Sequence, residues 1–340
     1  MAGTLLAVTM GVRALRIILL TAGVLGLVAL VYLLDAQSIA SALARITWWQ
    51  FALVCVVHGI SMAIDTVAWR YTLLGESPPF HKLLAAKCAG EAVNVLTALG
   101  AVGGEATKAW LLRREIPYEA SVPSLILAKT SLVLSQALLL AVGIVVAWTT
   151  GIAGPTLLAA MGYLLLAEVI GIGGFMLVQN VGVVGKAGRI LAWAGARVIH
   201  RAQRFDDALR GFYRNEWRAF LLSIGLHFVG WLIGILEALL ILHSLGVAGS
   251  VITATVIDAL GSGVRFATFF VPASLGTLEG ANAAAFAAFG WAASAGLAFS
   301  LVRRARQAVW IGVGVAILLA MGVRRSSVSE PATPAPSGAD

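Results

Sequence analysis

The chain has 340 residues, of which 60% are hydrophobic and only 12% are charged. Soluble domains carry about 25% charged residues, so this chain cannot cover a water-facing surface. Its long apolar runs lack the alternating pattern of membrane-barrel strands. The composition therefore predicts an all-α integral membrane bundle. It argues against a nucleic-acid-binding protein despite the net charge of +8, because the basic residues lie between the apolar runs.

Apolar runs of about 20 residues, long enough to cross a bilayer, recur along the chain. They lie near 14–34, 47–74, 121–149, 156–178, 218–244 and 291–322. Two further apolar stretches, at about 83–107 and 250–290, are interrupted by glycine, proline and charged residues. Broken helices occur at membrane depth only where they are buried in protein or line a cavity. These two stretches are therefore the first candidates for function.

The distribution of basic residues predicts the orientation, because cytoplasmic loops carry an excess of Lys and Arg. Basic residues precede the first span, flank 83–107 on both sides, fill 179–217 and follow the last span. Both termini are therefore predicted to be cytoplasmic. The stretch 83–107 then enters and leaves by the cytoplasmic face. Since one span separates 250–290 from the cytoplasmic C-terminus, this stretch must begin and end on the opposite face. We expect two oppositely facing re-entrant helical hairpins within one transmembrane domain, 1–325.

Two segments are predicted to lie outside the spans. Within 186–215, apolar residues recur every three or four positions in a basic sequence, which is typical of an amphipathic helix on the cytoplasmic leaflet. An ordinary linker helix fits the same pattern. The tail 326–340 is rich in Ser, Pro and Ala and is predicted to be disordered. Cysteines and histidines show no ligand spacing, so no metal and no cofactor are expected.

The two interrupted stretches carry similar motifs of glycine followed by a carboxylate. In the first stretch these are at 90–94 and 100–108, and in the second at 272–280. Glycine permits a sharp turn at membrane depth, and the start of the next helix favours an anion. Interruptions in corresponding places of two halves point to a binding site between them.

Ionisable side chains within apolar runs are costly, so each is a functional candidate. For Glu105 and Glu279 a functional or gating role is favoured, because each follows a turn glycine. For Glu168 and Glu237 a structural salt bridge or a position at the membrane interface is favoured, because no motif flanks them. The arginine group at 303–306 has two interpretations, a cytoplasmic loop and a cavity-facing group. The other candidates are Asp65, Glu91, Lys129, Asp258 and Arg265.

Taken in order, these motifs resemble the lysylphosphatidylglycerol synthase transmembrane-region family. The resemblance rests on the runs at 65–70, 90–94, 103–106, 270–280 and 300–306. It is closest to the hopanoid-associated branch of that family, the flippase-like HpnL membrane proteins. One departure is the pair Ala273-Ser274, which stands where glycine is common in the turn of the family.

The resemblance implies a transporter that moves a lipid, a hopanoid or an anionic phospholipid, between leaflets of a bacterial inner membrane or toward the outer membrane. Opposed hairpins that meet near the midplane form a polar cavity open sideways to the lipid. Arginines hold the head group there, and Glu105 and Glu279 are expected to pair with them in the empty site. The predicted binding residues are Glu91, Asn94, Gly103, Gly104, Glu105, Lys108, Arg265, Pro272, Gly276, Glu279, Arg303, Arg304 and Arg306.

Two other functions are considered. The first is an enzyme that modifies a membrane lipid, with Glu105 or Glu279 as general base, although the sequence has no nucleophile or cofactor motif for it. The second is a scaffold that recruits partners through the basic segment 186–215. Transport without covalent chemistry is the favoured interpretation.

Overall fold

The structure of the protein, a computed structural model, describes residues 18, 21–75, 77–97, 100–181 and 196–326. Within these ranges the chain forms helices and turns and no strand. The start of the first predicted span, the first part of the predicted amphipathic helix and nearly all of the predicted tail lie outside the described residues.

Twelve helices are described in these ranges. They are α1 (Thr21–Leu33), α2 (Ala36–Leu43), α3 (Trp48–Arg70), α4 (Phe80–Leu96), α5 (Gly100–Leu112), α6 (Tyr118–Thr150), α7 (Pro155–Val181), α8 (Ala196–Asn215), α9 (Trp217–Ser244), α10 (Val251–Ala267), α11 (Thr277–Ala288) and α12 (Ala293–Ser326). By length and composition α3, α6, α7, α9 and α12 can each cross a membrane, and α1 with α2, which meet at 90°, can make a sixth span. The prediction of an all-α membrane protein is confirmed.

Local capping signals set several helix ends. At the start of α3 the backbone N–H of Thr47 donates to Gln50 Oε1 at 2.9 Å. At the start of α10 the backbone N–H of Thr253 donates to Ser250 Oγ at 3.3 Å. Helix α6 ends at Gly151, whose φ of 65° is a left-handed conformation that glycine adopts without strain. These polar and glycine positions interrupt the apolar sequence and separate the spans.

Two helix pairs, α4–α5 and α10–α11, contain only short helices. Their helices have 17, 13, 17 and 12 residues, whereas a span needs about 20. The pairs correspond to the interrupted stretches predicted at 83–107 and 250–290. In the first pair α4 packs along α5, and in the second α11 packs on α10 and α12.

Two contacts place the starts of the pairs near opposite ends of α3. Ahead of α4, Thr72 Oγ1 donates to the carbonyl of Ser124 at 3.0 Å. Ahead of α10, Arg45 donates to the carbonyl of Leu245 at 3.4 Å. Helix α3 begins close to Arg45 and ends close to Thr72, so the two contacts lie near its opposite ends.

Helix α8 coincides with the described part of the predicted amphipathic helix. Its apolar side chains Leu209 and Phe212 are 1% and 3% exposed and pack with Leu127 of α6 and Phe220 of α9. The basic side chain of Arg204 is exposed. The described C-terminal part of the predicted apolar face therefore contacts neighbouring helices, whereas a helix lying on a leaflet would turn this part to lipid.

Glycines allow α4 and α5 to approach closely. A Cβ on Gly104 would lie 2.6 Å from the backbone oxygen of Gly90, and a Cβ on Gly90 would lie 2.9 Å from that of Gly104. Both glycines lie inside helices, and the connection between the helices falls after Leu96. The expectation that the glycines at 103–104 form the turn is therefore wrong. They serve helix packing, as small residues do between membrane helices.

Replacing Gly104 with Ala is expected to lower the free energy of unfolding by about 1–3 kcal/mol, because the new methyl group meets backbone that cannot move aside. Thermal unfolding of the purified protein in detergent measures this change. In the matched variant Gly162→Ala the methyl group has no atom within 4 Å. This control is expected to keep or slightly raise the stability. Equal melting temperatures for the two variants would contradict the close approach of α4 and α5.

Candidate functional site

Ionisable side chains within the bundle gather in two clusters. The lysine cluster comprises Asp65 on α3, Lys87, Glu91 and Asn94 on α4, and Glu105 and Lys108 on α5. The arginine cluster comprises His58 on α3, Glu237 on α9, Asp258 on α10, Glu279 on α11, and Arg303, Arg304 and Arg306 on α12. The lysine cluster joins three consecutive helices, whereas the arginine cluster joins helices that are distant in sequence.

Lys108 is the centre of the lysine cluster. Its Nζ lies 3.1 Å from Glu91 Oε1 and 3.0 Å from Glu105 Oε1. Asn94 donates to the other oxygen of Glu91 at 3.4 Å. The Lys108 side chain is 8% exposed, whereas those of Glu91 and Glu105 are 42% and 26% exposed. The accessible surface of this cluster is therefore made by carboxylates, with the ammonium group behind them.

Asp65 connects the lysine cluster to α3 and α9. Its Oδ2 lies 3.2 Å from Lys87 Nζ. On α9, a Cβ at Gly230 would lie 2.7 Å from Asp65 Oδ1. The carbonyl of Gly230 also accepts a hydrogen bond from Ser61 Oγ at 3.1 Å. Any side chain at position 230 would displace this carboxylate.

Two buried carboxylates hold Arg303 and Arg306. Arg303 Nη1 donates to Asp258 Oδ1 at 2.7 Å, and Arg303 Nε lies 3.5 Å from Glu237 Oε1. Arg306 donates to the same Glu237 oxygen. His58 Nδ1 lies 3.6 Å from the other Glu237 oxygen. Both carboxylate side chains are only 2% exposed, so their charges are compensated by these arginines rather than by solvent.

Gly234 provides the space that Asp258 occupies. A Cβ at this position would lie 2.9 Å from Asp258 Oδ2. The carbonyl of Gly234 accepts a hydrogen bond from Arg303 Nη2 at 3.4 Å. Since Gly230 and Gly234 are four residues apart, they lie on the same face of α9. Each of them thus faces a carboxylate from a different cluster.

Arg304 fixes the connection between α10 and α11. Its Nε donates to Glu279 Oε1 at 2.7 Å, and its Nη1 and Nη2 donate to the carbonyls of Ala273 and Ser274 at 2.8 and 3.4 Å. Ala273 and Ser274 have φ of 53° and 50°. This left-handed conformation costs a non-glycine residue about 1–2 kcal/mol. The two residues stand where the resemblance leads one to expect glycine, and their strained backbone points two carbonyls at one guanidinium.

Glu279 uses both of its oxygens inside the protein. Oε2 accepts the backbone N–H of Gly276 at 2.7 Å, and Oε1 accepts from Arg304. The side chain is 0% exposed. Gly276 has φ of 81°, which glycine adopts readily, and Pro272 starts the short 3₁₀ turn before it. Glu279 therefore stabilises the turn and the start of α11.

Arg265 on α10 lies beside the arginine cluster. Its guanidinium carbon is 5.4 Å from the centre of the Trp231 ring, a cation–π contact. It interacts electrostatically with Asp258, Arg303 and Arg306. In the described part of the chain, its guanidinium has no hydrogen-bond or ion-pair partner.

The pairing expected from the sequence is only half correct. Glu279 pairs with Arg304, but Glu105 pairs with Lys108 and with no arginine among the described residues. The arginines lie within the continuous helix α12, so the loop interpretation of 303–306 is wrong. Glu237 does form salt bridges, and these lie at the centre of the arginine cluster. The sequence contained a signal for this site, because Gly230 and Gly234 precede Glu237 at helical spacing and allow other groups to approach this helix closely.

Glu168 does not form the predicted salt bridge with any described residue. It is 0% exposed, and its Oε1 accepts a hydrogen bond from Gln136 Nε2 at 2.5 Å. The same Gln136 nitrogen donates to the carbonyl of Ser262 at 3.0 Å. Across the described ranges, no group of three or more His, Cys, Asp and Glu side chains is arranged to hold a metal ion.

Comparison with protein families gives a match over most of the chain. The model of the lysylphosphatidylglycerol synthase TM region matches residues 13–316. The chain belongs to this family. Both clusters lie within the matched residues, and the family predicted from the ordered motifs is confirmed. Comparison with curated proteins found no match, and comparison with solved structures found none either.

In this lysylphosphatidylglycerol synthase TM-region protein, Glu237→Gln is expected to lower the free energy of unfolding by about 3–5 kcal/mol, because Arg303 and Arg306 lose the buried carboxylate that they share. Thermal unfolding in detergent measures the effect. The exposed Glu216, at the start of the same helix, provides the control variant Glu216→Gln. We expect this control to change stability by less than about 0.5 kcal/mol.

A double variant separates the loss of the ion pair from the loss of the carboxylate itself. Adding Arg306→Gln to Glu237→Gln removes one charge of each sign, so the double variant is expected to be more stable than Glu237→Gln alone. A strictly additive loss of stability in the double variant would show that the two side chains are not coupled.

Proposed function

We propose that this chain moves a lipid between the leaflets of a bacterial inner membrane and that the arginine cluster binds the head group. The depth of the arginines carries the proposal. Arg303 and Arg306 follow Ala293 by 10 and 13 residues, or about 15 and 20 Å along the helix. These positions lie about one third and nearly one half of the way along the candidate span Ala293–Met321, within a hydrocarbon core about 30 Å thick.

Charge at this depth needs a reason. Arginine at the centre of a membrane helix is costly, and such residues generally mark pathways or binding sites. The side chains of Arg303, Arg304 and Arg306 are 15%, 21% and 15% exposed, so part of each guanidinium is accessible. Accessible guanidiniums at mid-depth supply the hydrogen bonds that a head group loses when it leaves water.

The two short helix pairs support a site that is reached from both leaflets. We infer that α4–α5 and α10–α11 are re-entrant hairpins, the first from the cytoplasmic face and the second from the opposite face. Both pairs approach α12, because Arg304 binds the turn at 273–274, and a Cβ on Gly314 would lie 2.7 Å from the Ala92 methyl of α4. Paired broken helices around a central site are a common design of secondary transporters.

A polar face of α3 joins the two clusters. His58, Ser61 and Asp65 are spaced by three and four residues and therefore share one face of this helix. His58 contacts the arginine cluster through Glu237, and Asp65 contacts the lysine cluster through Lys87. The polar surface therefore extends along α3 from one cluster to the other. We propose that the head group moves along this surface while its acyl or ring portion stays in lipid.

The remaining parts of the proposal rest on the family resemblance and on the distribution of basic residues. The transported lipid is a hopanoid, as in the HpnL branch, or a phospholipid, and it is moved between leaflets or toward the outer membrane. Both termini face the cytoplasm. The process is translocation and involves no covalent change of the lipid.

Translocation is tested in vesicles that contain the purified protein and a fluorescent phospholipid. A membrane-impermeant reductant destroys only the outer-leaflet fluorophores unless lipids exchange between leaflets. We expect complete loss of fluorescence with the wild-type protein. The double variant Glu237→Gln, Arg306→Gln is expected to slow exchange at least tenfold, since it removes head-group hydrogen bonds. The variant Glu216→Gln provides the control. Exchange no faster than in protein-free vesicles would refute the proposal.

The orientation of the two hairpins is tested with single cysteines in a background without Cys55 and Cys88. Ser77 precedes α4, Ala248 precedes α10, and both are exposed. A membrane-impermeant thiol reagent is expected to label Ser77→Cys only from the cytoplasmic side and Ala248→Cys only from the other side. Labelling of both cysteines from the same side would contradict oppositely facing hairpins.

A further inference from the structure

The arginine cluster presents donors to its surroundings and keeps its acceptors behind them. The carboxylate side chains of Glu237, Asp258 and Glu279 are 2%, 2% and 0% exposed. The arginines that cover them, described above, are each between 15% and 21% exposed. A ligand that reaches this cluster therefore meets guanidinium N–H groups first, and these groups favour an acceptor that carries negative charge.

The formal charges around the cluster do not cancel. The guanidiniums are those of Arg265, Arg303, Arg304 and Arg306, and the carboxylates are those of Glu237, Asp258 and Glu279. Four positive charges face three negative charges. With His58 counted as neutral, one positive charge is left without a counter-ion among the described residues. Uncompensated charge in a poorly solvated site is unfavourable, so the site is best completed by a ligand with one negative charge.

Arg265 is the side chain that lacks a carboxylate. Its guanidinium lies against Trp231 and pairs with no described acidic side chain. The Arg265 side chain is partly exposed, so a ligand can reach its guanidinium. The planar guanidinium offers paired N–H donors that match two oxygens of a phosphate group.

We propose that the transported lipid is an anionic phospholipid whose phosphodiester binds Arg265 together with the exposed edge of the arginine cluster. This inference rests on the proposed function and chooses between its two lipid classes. In an anionic phospholipid the phosphodiester gives the head group one net negative charge, which balances the site, whereas the choline of phosphatidylcholine cancels this charge. A hopanoid with a neutral hydroxylated side chain would leave the excess positive charge in place. Inorganic phosphate shares the chemistry of the head group, but only a lipid can reach mid-depth from the hydrocarbon while its apolar part remains solvated there.

Binding is tested by titrating the purified protein in detergent with four probes and following the melting temperature. The probes are phosphatidylglycerol, phosphatidylcholine, a neutral hopanoid alcohol and inorganic phosphate. We expect phosphatidylglycerol to raise the melting temperature at the lowest concentration. Its apparent affinity is expected to be at least tenfold above those of phosphatidylcholine and the hopanoid alcohol, which carry no net charge. An equal response to all three lipids would overturn the inference. A full response to inorganic phosphate alone would also overturn it, because the site would then bind a free anion.

The residue assignment is tested with Arg265→Gln and its matched control Arg265→Lys. Since Arg265 has no described ion-pair partner, neither variant leaves a carboxylate uncompensated. Arg265→Gln is expected to weaken phosphatidylglycerol binding about tenfold or more, whereas Arg265→Lys keeps the charge and loses less. The exposed Arg204→Gln on α8 removes a surface charge and is expected to bind normally. Equal binding by Arg265→Gln and the wild-type protein would refute the assignment.

The vesicle assay separates this inference from the proposed function. Exchange of fluorescent phosphatidylglycerol and phosphatidylcholine at equal rates would support translocation and refute the preference for an anionic lipid. Binding that depends on Arg265 without any exchange would support the anion site and refute translocation. Faster exchange of phosphatidylglycerol, lost in Arg265→Gln, would support both.

Discussion

The pairing of three arginines on α12 with carboxylates from α9, α10 and α11 is the interaction on which the rest of the bundle depends. A guanidinium at mid-depth is tolerated only when an acid compensates it, and here the acids come from three separate helices. The same contacts therefore hold the short pair α10–α11 against the long helix α12. They also position the strained turn at 273–274, whose carbonyls bind Arg304.

The spans were predictable because membrane crossing depends on a local property, the length of an apolar run. The partners of the charges were not predictable, because they depend on helix packing. Glu105 binds Lys108, which lies one turn away on the same helix, whereas Arg304 of α12 binds Glu279 of the preceding helix α11. Most of the charged groups were identified, since ionisable residues in apolar runs are conspicuous, but Lys87, which binds Asp65, was missed. Their grouping into two clusters required the structure.

The glycines illustrate the same limit. Gly104 was expected to form a turn, yet it lies in α5 against Gly90, because a residue without a side chain serves close packing as well as bending. Gly276 does have the positive φ expected of a turn glycine. At 273–274 the sequence departs from the glycine of the family, and the backbone adopts the left-handed conformation nevertheless. Sequence alone distinguishes a packing glycine from a turn glycine poorly, since Gly104 and Gly276 differ only in their neighbours.

The two glycines on α9 have a mechanical consequence. Gly230 accommodates Asp65 of the lysine cluster, and Gly234, about one turn further, accommodates Asp258 of the arginine cluster. Both carboxylates therefore pack against glycines on one face of the same helix. If α9 rotated about its axis, both glycines would move away from the carboxylates they accommodate, and larger side chains of α9 would take their place. A rotation of α9 about its axis would therefore change the surroundings of Asp65 and Asp258 together, although these carboxylates belong to different clusters.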